Sequence, residues 1–299
     1  MFNYISQKNA ETEWDRLLLS FDTPAYSQSY SFSKLGKGQP EFITFETEKG
    51  VVACYLDVRP KEIKIPFGPV FNKGITSEQI YSCMLKIKQH YNLPVTFFLA
   101  GDDLISEFEQ KHPDLQVMWS FTTPIIDTNV SIDDVLRRCN ENRRRIIKKG
   151  ISNFLPDQIR IGAQYAKEFY DLYNRRLNET GGMVDFSYEY LTNMLKQKGI
   201  ELIVCLDNAK VIAGHIIVTF GNTMTTRYCA FDSQYAKFSP SARIDHYCIE
   251  RACALPEILY YDMSGWANEE VASEKLLNIN RYKKSYGPTI YRKYVAYKL

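Results

Sequence analysis

Apolar residues follow two different spacings along the chain. Segments 41–45 and 202–206 are short and apolar or alternating, which predicts strands. Other segments place apolar residues three and four positions apart, as at Ile80, Met84 and Ile87, which predicts helices with one buried face. In chain order, the first half predicts β, α, α, β, β, β, α, β, α, β. Such a mixture is typical of an α/β or α+β fold.

The same order of elements returns in the second half. Pro124 begins a junction, and Ser131 opens a capping-box pattern at the start of a helix that we expect to end at Gly150. A strand, two helices, a three-stranded meander, a helix, a strand, a further helix and a last strand at 290–297 follow. The repeated order predicts two modules, residues 1–125 and residues 126–299.

Composition adds a few limits. With 299 residues, of which 45% are hydrophobic, the chain is long enough for two cores. The 37 basic and 35 acidic residues give a net charge of +2, which argues against a protein that coats nucleic acid but permits a local basic surface. The seven cysteines include no Cys-x-x-Cys pair, and no zinc-like spacing is present, so we expect reduced thiols and no metal.

The chain is expected to be cytoplasmic. Its first residues lack the basic and apolar regions of a signal peptide. No apolar run approaches the roughly 18 residues that a membrane helix needs, so we expect no transmembrane segment.

The segment 260–287 carries the densest group of candidate functional residues. Asp262 and Trp266 follow a predicted buried strand, and ligands of open α/β sheets tend to bind at the carboxyl ends of strands. The next helix ends before Gly287 with three cations in its last turn: Arg281, Lys283 and Lys284. Cations at this position either complement the helix dipole or serve a site.

A second basic group lies on the predicted helix 131–150. Asn142 and Arg143 fall in line with its apolar face, and six further cations surround them: Arg137, Arg138, Arg144, Arg145, Lys148 and Lys149. This local basic helix either contacts phosphates of tRNA or of a nucleotide-linked acceptor, or is a solvated surface.

Three motifs together resemble Fem-type peptidoglycan-bridge transferases of the GNAT acetyltransferase superfamily. They are Asp-Met-Ser-Gly at 262–265 with Arg-Tyr-Lys-Lys-Ser-Tyr-Gly at 281–287, Ile-Pro-Phe-Gly-Pro-Val at 65–70, and Asn-Arg-Arg-Arg at 142–145. The resemblance implies two tandem GNAT-like modules, each a mixed, mostly antiparallel sheet flanked by helices. It also implies an active site in the second module that includes Lys283.

The resemblance further implies an acyltransferase that moves an aminoacyl or acyl group to an amine acceptor, on a cell-wall precursor or nucleotide-linked sugar. The donor would be aminoacyl-tRNA or acyl-CoA, with no tightly bound cofactor. GNAT enzymes have a glycine-rich turn before the helix that binds the CoA pyrophosphate. Here residues 237–243 contain no glycine, and Pro240 lacks an amide donor, which disfavours CoA. Two alternatives stay open: an acyl-CoA-dependent N-acetyltransferase of an amino sugar or amino acid, and a non-catalytic binding protein with the same fold.

Acyl transfer to an amine needs a positioned nucleophile and a donor for the developing oxyanion. The candidate catalytic residues are Lys283, Asp262, Tyr228 and His215. The candidate substrate-binding residues are Arg143, Asn142, Arg227, Asp232, Trp266, Phe67 and Gly68. The candidate donor-binding residues are Ser239, Ser241, Arg243 and Lys284.

Some of these side chains have a second interpretation. His215 alternates with apolar residues, so it is either a base or a satisfied core histidine. A thiol dyad of His215 with Cys229 lacks a visible third group. The turn at Gly181, with Met183 and Asp185 beside it, either lines an acceptor groove or only connects two helices.

Overall fold

The computed structural model describes residues 2–6, 9–182, 186–269 and 272–299. The chain folds into two compact units, the first comprising Met1–Thr122 with Arg292–Leu299 and the second Thr123–Tyr291. Each unit has its own buried apolar core.

The first unit is a mixed sheet with helices. Its strands are β1 (Asn3–Ile5), β2 (Gln39–Thr47), β3 (Gly50–Arg59), β4 (Glu62–Lys64), β5 (Val70–Phe71) and β6 (Val95–Ala100), with most of β13 (Ile290–Lys298). The strand order is β1-β2-β3-β4-β6-β13, and β5 pairs with β3. The helices are α1 (Asp15–Leu18), α2 (Tyr30–Ser33), α3 (Ser77–Tyr91) and α4 (Asp102–Lys111). Ile80, Met84 and Ile87 of α3 are buried in the core, as predicted from their spacing.

The second unit contains the segments that carry most candidate site residues. The border between the units falls within β7 (Gln116–Asp127). The other strands are β8 (Ile159–Ile161), β9 (Ile200–Asp207), β10 (Lys210–Phe220), β11 (Thr223–Phe231) and β12 (Tyr260–Asp262). The strand order is β7-β12-β11-β10-β9-β8. β11 and β12 are parallel, whereas β12 is antiparallel to β7 and β10 is antiparallel to both β9 and β11.

Six helices of the second unit are described. They are α5 (Ile132–Arg138), α6 (Glu141–Asn153), α7 (Ala166–Glu179), α8 (Tyr188–Leu195), α9 (Pro240–Ala254) and α10 (Glu274–Lys284). The mixed, mostly antiparallel sheet with flanking helices agrees with the predicted fold class.

The predicted helix 131–150 is in fact two helices. Cys139 is extended, and the side chain of Asn140 accepts a hydrogen bond from the backbone N–H of Arg143 at 2.8 Å, which starts α6 anew. The interruption changes the rotation of the helix, so Asn142 is exposed rather than aligned with the core, while Arg143 is buried.

Two other boundaries differ from the sequence prediction. Residues 292–299, which the prediction placed in the second module, lie in the first unit because Tyr294–Lys298 pairs with β6, from Tyr294 opposite Ala100 to Lys298 opposite Thr96. Asp262 is the last residue of β12 rather than the residue after it.

Gly287 and Gly181 allow a matched test of packing in the second unit. Both have a left-handed backbone, with φ of 65° and 68°, but a Cβ at Gly287 would lie 2.3 Å from the carbonyl oxygen of Arg138, whereas a Cβ at Gly181 would meet nothing within 4 Å. We expect Gly181→Ala to lower the free energy of unfolding by about 1 kcal/mol and Gly287→Ala by about 3 kcal/mol. Urea unfolding measures both, and equal losses would contradict the close approach of Gly287 to Arg138.

Candidate active site

The parallel strands β11 and β12 stay paired over a short distance only. Thr223, Met224 and Thr225 lie opposite Tyr260, Tyr261 and Asp262, after which β12 ends while β11 continues to Phe231. Against β10, Thr226 lies opposite Ile217 and Tyr228 opposite Ile216, so Arg227 is the extra residue of a β-bulge. The bulge shifts the alternation of β11, so that Cys229 faces the same side as Thr226.

Lys283 lies at the carboxyl end of β12. Its Nζ donates hydrogen bonds to the carbonyl oxygens of Ser264, at 3.0 Å, and of Gly265. Burial lowers the pKa of Lys283 below its ordinary value of 10.5, while Cys229, Asp262 and Asp245 act in the opposite direction. The structure therefore brings Lys283 and Asp262 together, as the sequence predicted.

The loop that holds Lys283 is fixed at both ends. The carboxylate of Asp262 accepts a hydrogen bond from the Ser264 N–H at 2.6 Å. The Asn280 side chain, 2% exposed, accepts from the Ala267 N–H at 3.0 Å and donates to the Ala267 carbonyl at 2.8 Å. Since Asn280 lies one helical turn before Lys283 on α10, the same helix supplies the lysine and fixes its carbonyl partners.

Buried polar contacts anchor the last turn of α10 to α9. Asp245 of α9 is 3% exposed, and its Oδ2 accepts hydrogen bonds from the hydroxyl of Tyr286, at 2.7 Å, and from that of Tyr282. Burial raises the pKa of Asp245, and His215, the bond from Tyr286, Arg143 and Lys283 oppose this rise.

Arg143 of α6 completes this anchor. It is 7% exposed, and its guanidinium carbon lies 4.3 Å from the ring centroid of Tyr282 and 4.7 Å from that of Tyr286. Its Nε donates to the Ser285 hydroxyl at 2.8 Å. The cation that the sequence placed in line with the core thus has partners inside the second unit.

His215 lies beside the same carboxylate. It is 1% exposed, its Nε2 is 3.1 Å from the Ser241 hydroxyl, and its Nδ1 is 3.5 Å from Oδ1 of Asp245. Burial lowers the pKa of His215, and Asp245 partly opposes this, so the imidazole is favoured in its neutral form. Cys229 lies opposite His215 in the β10–β11 register.

Asp245, Ser285 and Tyr286 are the residues that sequence analysis did not select. The available signal for Asp245 was an acidic residue in the middle of a helix segment, Ala242 to Ile249, whose residues are mostly buried. Such a buried carboxylate requires partners.

The start of α9 does not fit the diphosphate of coenzyme A. Pro240 has no amide to donate, and Ser239 has a left-handed backbone and makes no side-chain cap. Gly150 of α6 packs against this turn, since a Cβ there would lie 2.8 Å from the Ser239 carbonyl oxygen. Arg243, 5% exposed, donates to the Phe154 carbonyl at 3.1 Å. The turn is therefore packed with protein groups.

Comparison with known families decides the classification. The model of the acetyltransferase (GNAT) domain matches residues 135–284, which is half of the chain. The chain belongs to the GNAT acetyltransferase domain family. A comparison with curated proteins finds no match.

Solved structures support the same fold over the whole chain. The crystal structure of FemX has 12% identity and a TM-score of 0.78, covering 99% of this chain and 96% of that one. L-PGS from Bacillus licheniformis has 12% identity and a TM-score of 0.60, with coverage of 96% and 92%. A tandem GNAT protein from the clavulanic acid biosynthesis pathway has 12% identity and a TM-score of 0.57, with coverage of 100% and 98%. The predicted fold of tandem GNAT-like modules and the resemblance to Fem-type proteins are confirmed at the level of the fold.

Several predicted site residues of the GNAT domain lie outside the cluster around Lys283. Asp232 begins the turn Ser233–Phe238 and pairs with Arg175 and Lys210, each at 3.1 Å. Arg227 lies over the ring of Tyr228, at 5.6 Å from its centroid. Tyr228 itself packs against Phe186 and Tyr173 beside α7 and α8, with centroid distances of 4.5 Å and 5.8 Å.

The remaining candidates occupy three other places. Trp266, in the loop after β12, packs edge-on against Tyr291 of β13, with 5.5 Å between the ring centroids. Lys284 is exposed on α10. Phe67 and Gly68 belong to the first unit, where Phe67 stacks on Phe98 at 5.0 Å.

Met183 and Asp185, which the sequence placed beside a possible acceptor groove, lie outside the residues that the structure describes.

Two searches of the described residues concern metal sites and membrane-spanning helices. Across the described ranges, no three His, Cys, Asp or Glu side chains are grouped as metal ligands. None of the described helices combines the length and apolar character required to span a bilayer.

The pKa of Lys283 can be measured without knowing the substrate. Since burial lowers this pKa, we expect the ammonium to lose its proton at a lower pH in the folded protein than its ordinary value of 10.5. The rate of acylation by acetic anhydride, followed by peptide mass spectrometry as pH rises, gives the midpoint. The same lysine in urea-unfolded protein is the control, and equal midpoints would contradict the buried position.

Proposed function

We propose that this GNAT-fold acyltransferase transfers an aminoacyl or acyl group from an ester donor to an amine acceptor on a cell-wall precursor or nucleotide-linked sugar. The observation that carries the proposal is the position of Lys283. Its ammonium is half-buried at the end of β12, held by two carbonyl oxygens and anchored through the neighbouring Tyr282.

Lys283 is suited to stabilise the negative charge of the transition state. An ammonium has three N–H donors, and the carbonyls of Ser264 and Gly265 use two of them. In this proposal, the third donates to the oxygen of the reacting carbonyl. Its position is set before substrate binds, so little reorganisation is required when the charge develops.

The proposed reaction is a direct displacement in its simplest form. The acceptor amine attacks the carbonyl carbon of the donor, a C–N bond forms, and negative charge develops on the carbonyl oxygen beside Lys283. The C–O bond of the donor ester then breaks, and the leaving oxygen takes a proton from the nitrogen. The products are an amide and an alcohol, and the site's main contribution is positioning and charge stabilisation.

The structure of α9 favours an ester donor such as aminoacyl-tRNA over acyl-CoA. Pro240, the left-handed Ser239 and the packing of Gly150 leave the start of α9 unsuited to a diphosphate. Arg144, Arg145, Lys148 and Lys149 are exposed on α6 and supply cations for an RNA backbone. The similarity of the fold to FemX and L-PGS also supports an aminoacyl ester as the donor. The reaction would take place in the cytoplasm, where aminoacyl-tRNA is made.

Two assays with labelled donors separate the alternatives. Purified protein is incubated with aminoacyl-tRNAs or with acyl-CoA esters, together with nucleotide-linked amino sugars and cell-wall precursor peptides. We expect transfer of label from aminoacyl-tRNA into an amide. Transfer from acyl-CoA alone would establish the N-acetyltransferase alternative, and acceptor binding without transfer from any donor would establish the binding-protein alternative.

Replacing Lys283 tests its role in this reaction. We expect Lys283→Met to lower turnover about 100-fold or more, because removal of one oxyanion donor typically costs about 3 kcal/mol in the transition state. Steady-state kinetics measures the change. Lys198→Met, at an exposed lysine of the same unit, is the control and should keep full turnover.

Thermal unfolding of Lys283→Met shows whether the protein remains folded. A folded variant with turnover equal to that of the parent protein would contradict the proposed role of Lys283.

A further inference from the structure

Asp262 lies where a strand of the second unit ends and the loop that holds Lys283 begins. Its backbone is flanked on both sides, since it lies opposite Thr225 of β11 and Ile125 of β7. The residue is 8% exposed. The side chain of Asp262 is therefore attached to a fixed backbone at the first position of the loop.

Ser264 has a backbone conformation that a serine rarely adopts. Its φ is 64°, in the left-handed region, where the Cβ crowds the following carbonyl oxygen. Such a residue persists only where neighbouring contacts hold it. Asp262 supplies one of these contacts, because its Oδ1 accepts a hydrogen bond from the Ser264 N–H at 2.6 Å. An aspartate that bonds to the backbone two residues later is a common way of forming a tight turn.

The turn at Ser264 decides where two carbonyl oxygens point. Successive residues of an extended strand face in opposite directions, so neighbouring carbonyl groups reach one cation only where the chain turns. Those of Ser264 and Gly265 both accept hydrogen bonds from Nζ of Lys283, the first at 3.0 Å. The contact from Asp262 to Ser264 therefore lies one step behind the contacts that hold the ammonium.

We propose that Asp262 is a positioning residue for Lys283, that it acts through the backbone of Ser264, and that it is not the base of the reaction. The sequence had placed Asp262 among the catalytic residues. Direct displacement passes the proton of the acceptor nitrogen to the leaving oxygen, so it requires no carboxylate base. The effect of Asp262 on turnover rests on the proposed function; its effect on the ammonium of Lys283 does not.

Three variants separate the backbone contact of Asp262 from its charge. Asp262→Asn keeps an oxygen that accepts the Ser264 N–H but cannot serve as a base. Asp262→Ala removes both. Because glycine adopts the left-handed backbone without support, Asp262→Ala/Ser264→Gly restores the turn without restoring the carboxylate.

The ammonium of Lys283 can be observed by NMR without any substrate. An ammonium group held by hydrogen bonds exchanges its protons with water slowly enough to give a proton–nitrogen correlation signal at mildly acidic pH, and Lys283→Met identifies the signal by removing it. We expect this signal in the parent protein, its loss in Asp262→Ala, and its presence in Asp262→Asn and in Asp262→Ala/Ser264→Gly. Exposed Lys198 is the reference for fast exchange.

Turnover should follow the same order. We expect Asp262→Ala to lower turnover about tenfold or more with little change in KM, because Lys283 acts on the transition state. Asp262→Asn and Asp262→Ala/Ser264→Gly should each recover most of that loss. Asp127→Ala is the matched control, since Asp127 at the end of β7 accepts the Asn129 N–H at 3.0 Å in a turn of the same kind. It should leave both readouts unchanged.

The contrary results are distinct from one another. Loss of the Lys283 signal in folded Asp262→Asn, or its persistence in Asp262→Ala, would overturn the proposal, and thermal unfolding shows whether each variant is folded. A parent protein whose Lys283 ammonium exchanges as fast as that of Lys198 would overturn it too. Equal losses of turnover in Asp262→Asn and Asp262→Ala, with the signal kept in the first, would make Asp262 a base instead. The expected signals in a protein that transfers no acyl group would support the positioning role and contradict the proposed function.

Discussion

One buried carboxylate, Asp245, determines how the candidate site is arranged. Its Oδ2 accepts the hydroxyls of Tyr282 and Tyr286, which fixes the last turn of α10 against α9. Hydrogen bonds to a charged group contribute about 1.5–3 kcal/mol each, and removal of a partner from a buried charge costs more than the bond itself. Lys283 lies between these two tyrosines in sequence, so its position depends on this contact.

The same carboxylate links two candidate catalytic residues, Lys283 and His215. Oδ2 faces the helix that carries Lys283, and Oδ1 faces the histidine that contacts Ser241. Burial disfavours the charged form of both Asp245 and Lys283, since it raises the pKa of the carboxyl and lowers that of the ammonium. Each group helps to keep the other ionised, and together with Arg143 they form a largely buried polar network in the second unit.

The sequence predicts the elements of this fold better than its contacts. Periodicity located the buried face of α3 and the meander of the second unit, and the motif at 281–287 located Lys283 beside Asp262. It did not reveal that Asn140 starts a new helix, because the apolar stripe continued across the break. Residues 292–299 joined the first unit through pairing with distant β6, and local pattern contains no information on such a partner. Asp245 was missed because a single acid in a helix carries no motif, and only the packing of α10 shows what it binds.

The most direct test of this account is a double-mutant cycle between the tyrosine hydroxyls and Lys283. Turnover is measured for the Tyr282→Phe/Tyr286→Phe variant, for Lys283→Met, and for their combination. If the hydroxyls act by positioning Lys283, their removal lowers turnover in the parent protein and has no further effect once Lys283 is methionine. Independent losses that multiply in the combined variant would contradict the claim that the Asp245 contact determines the position of Lys283.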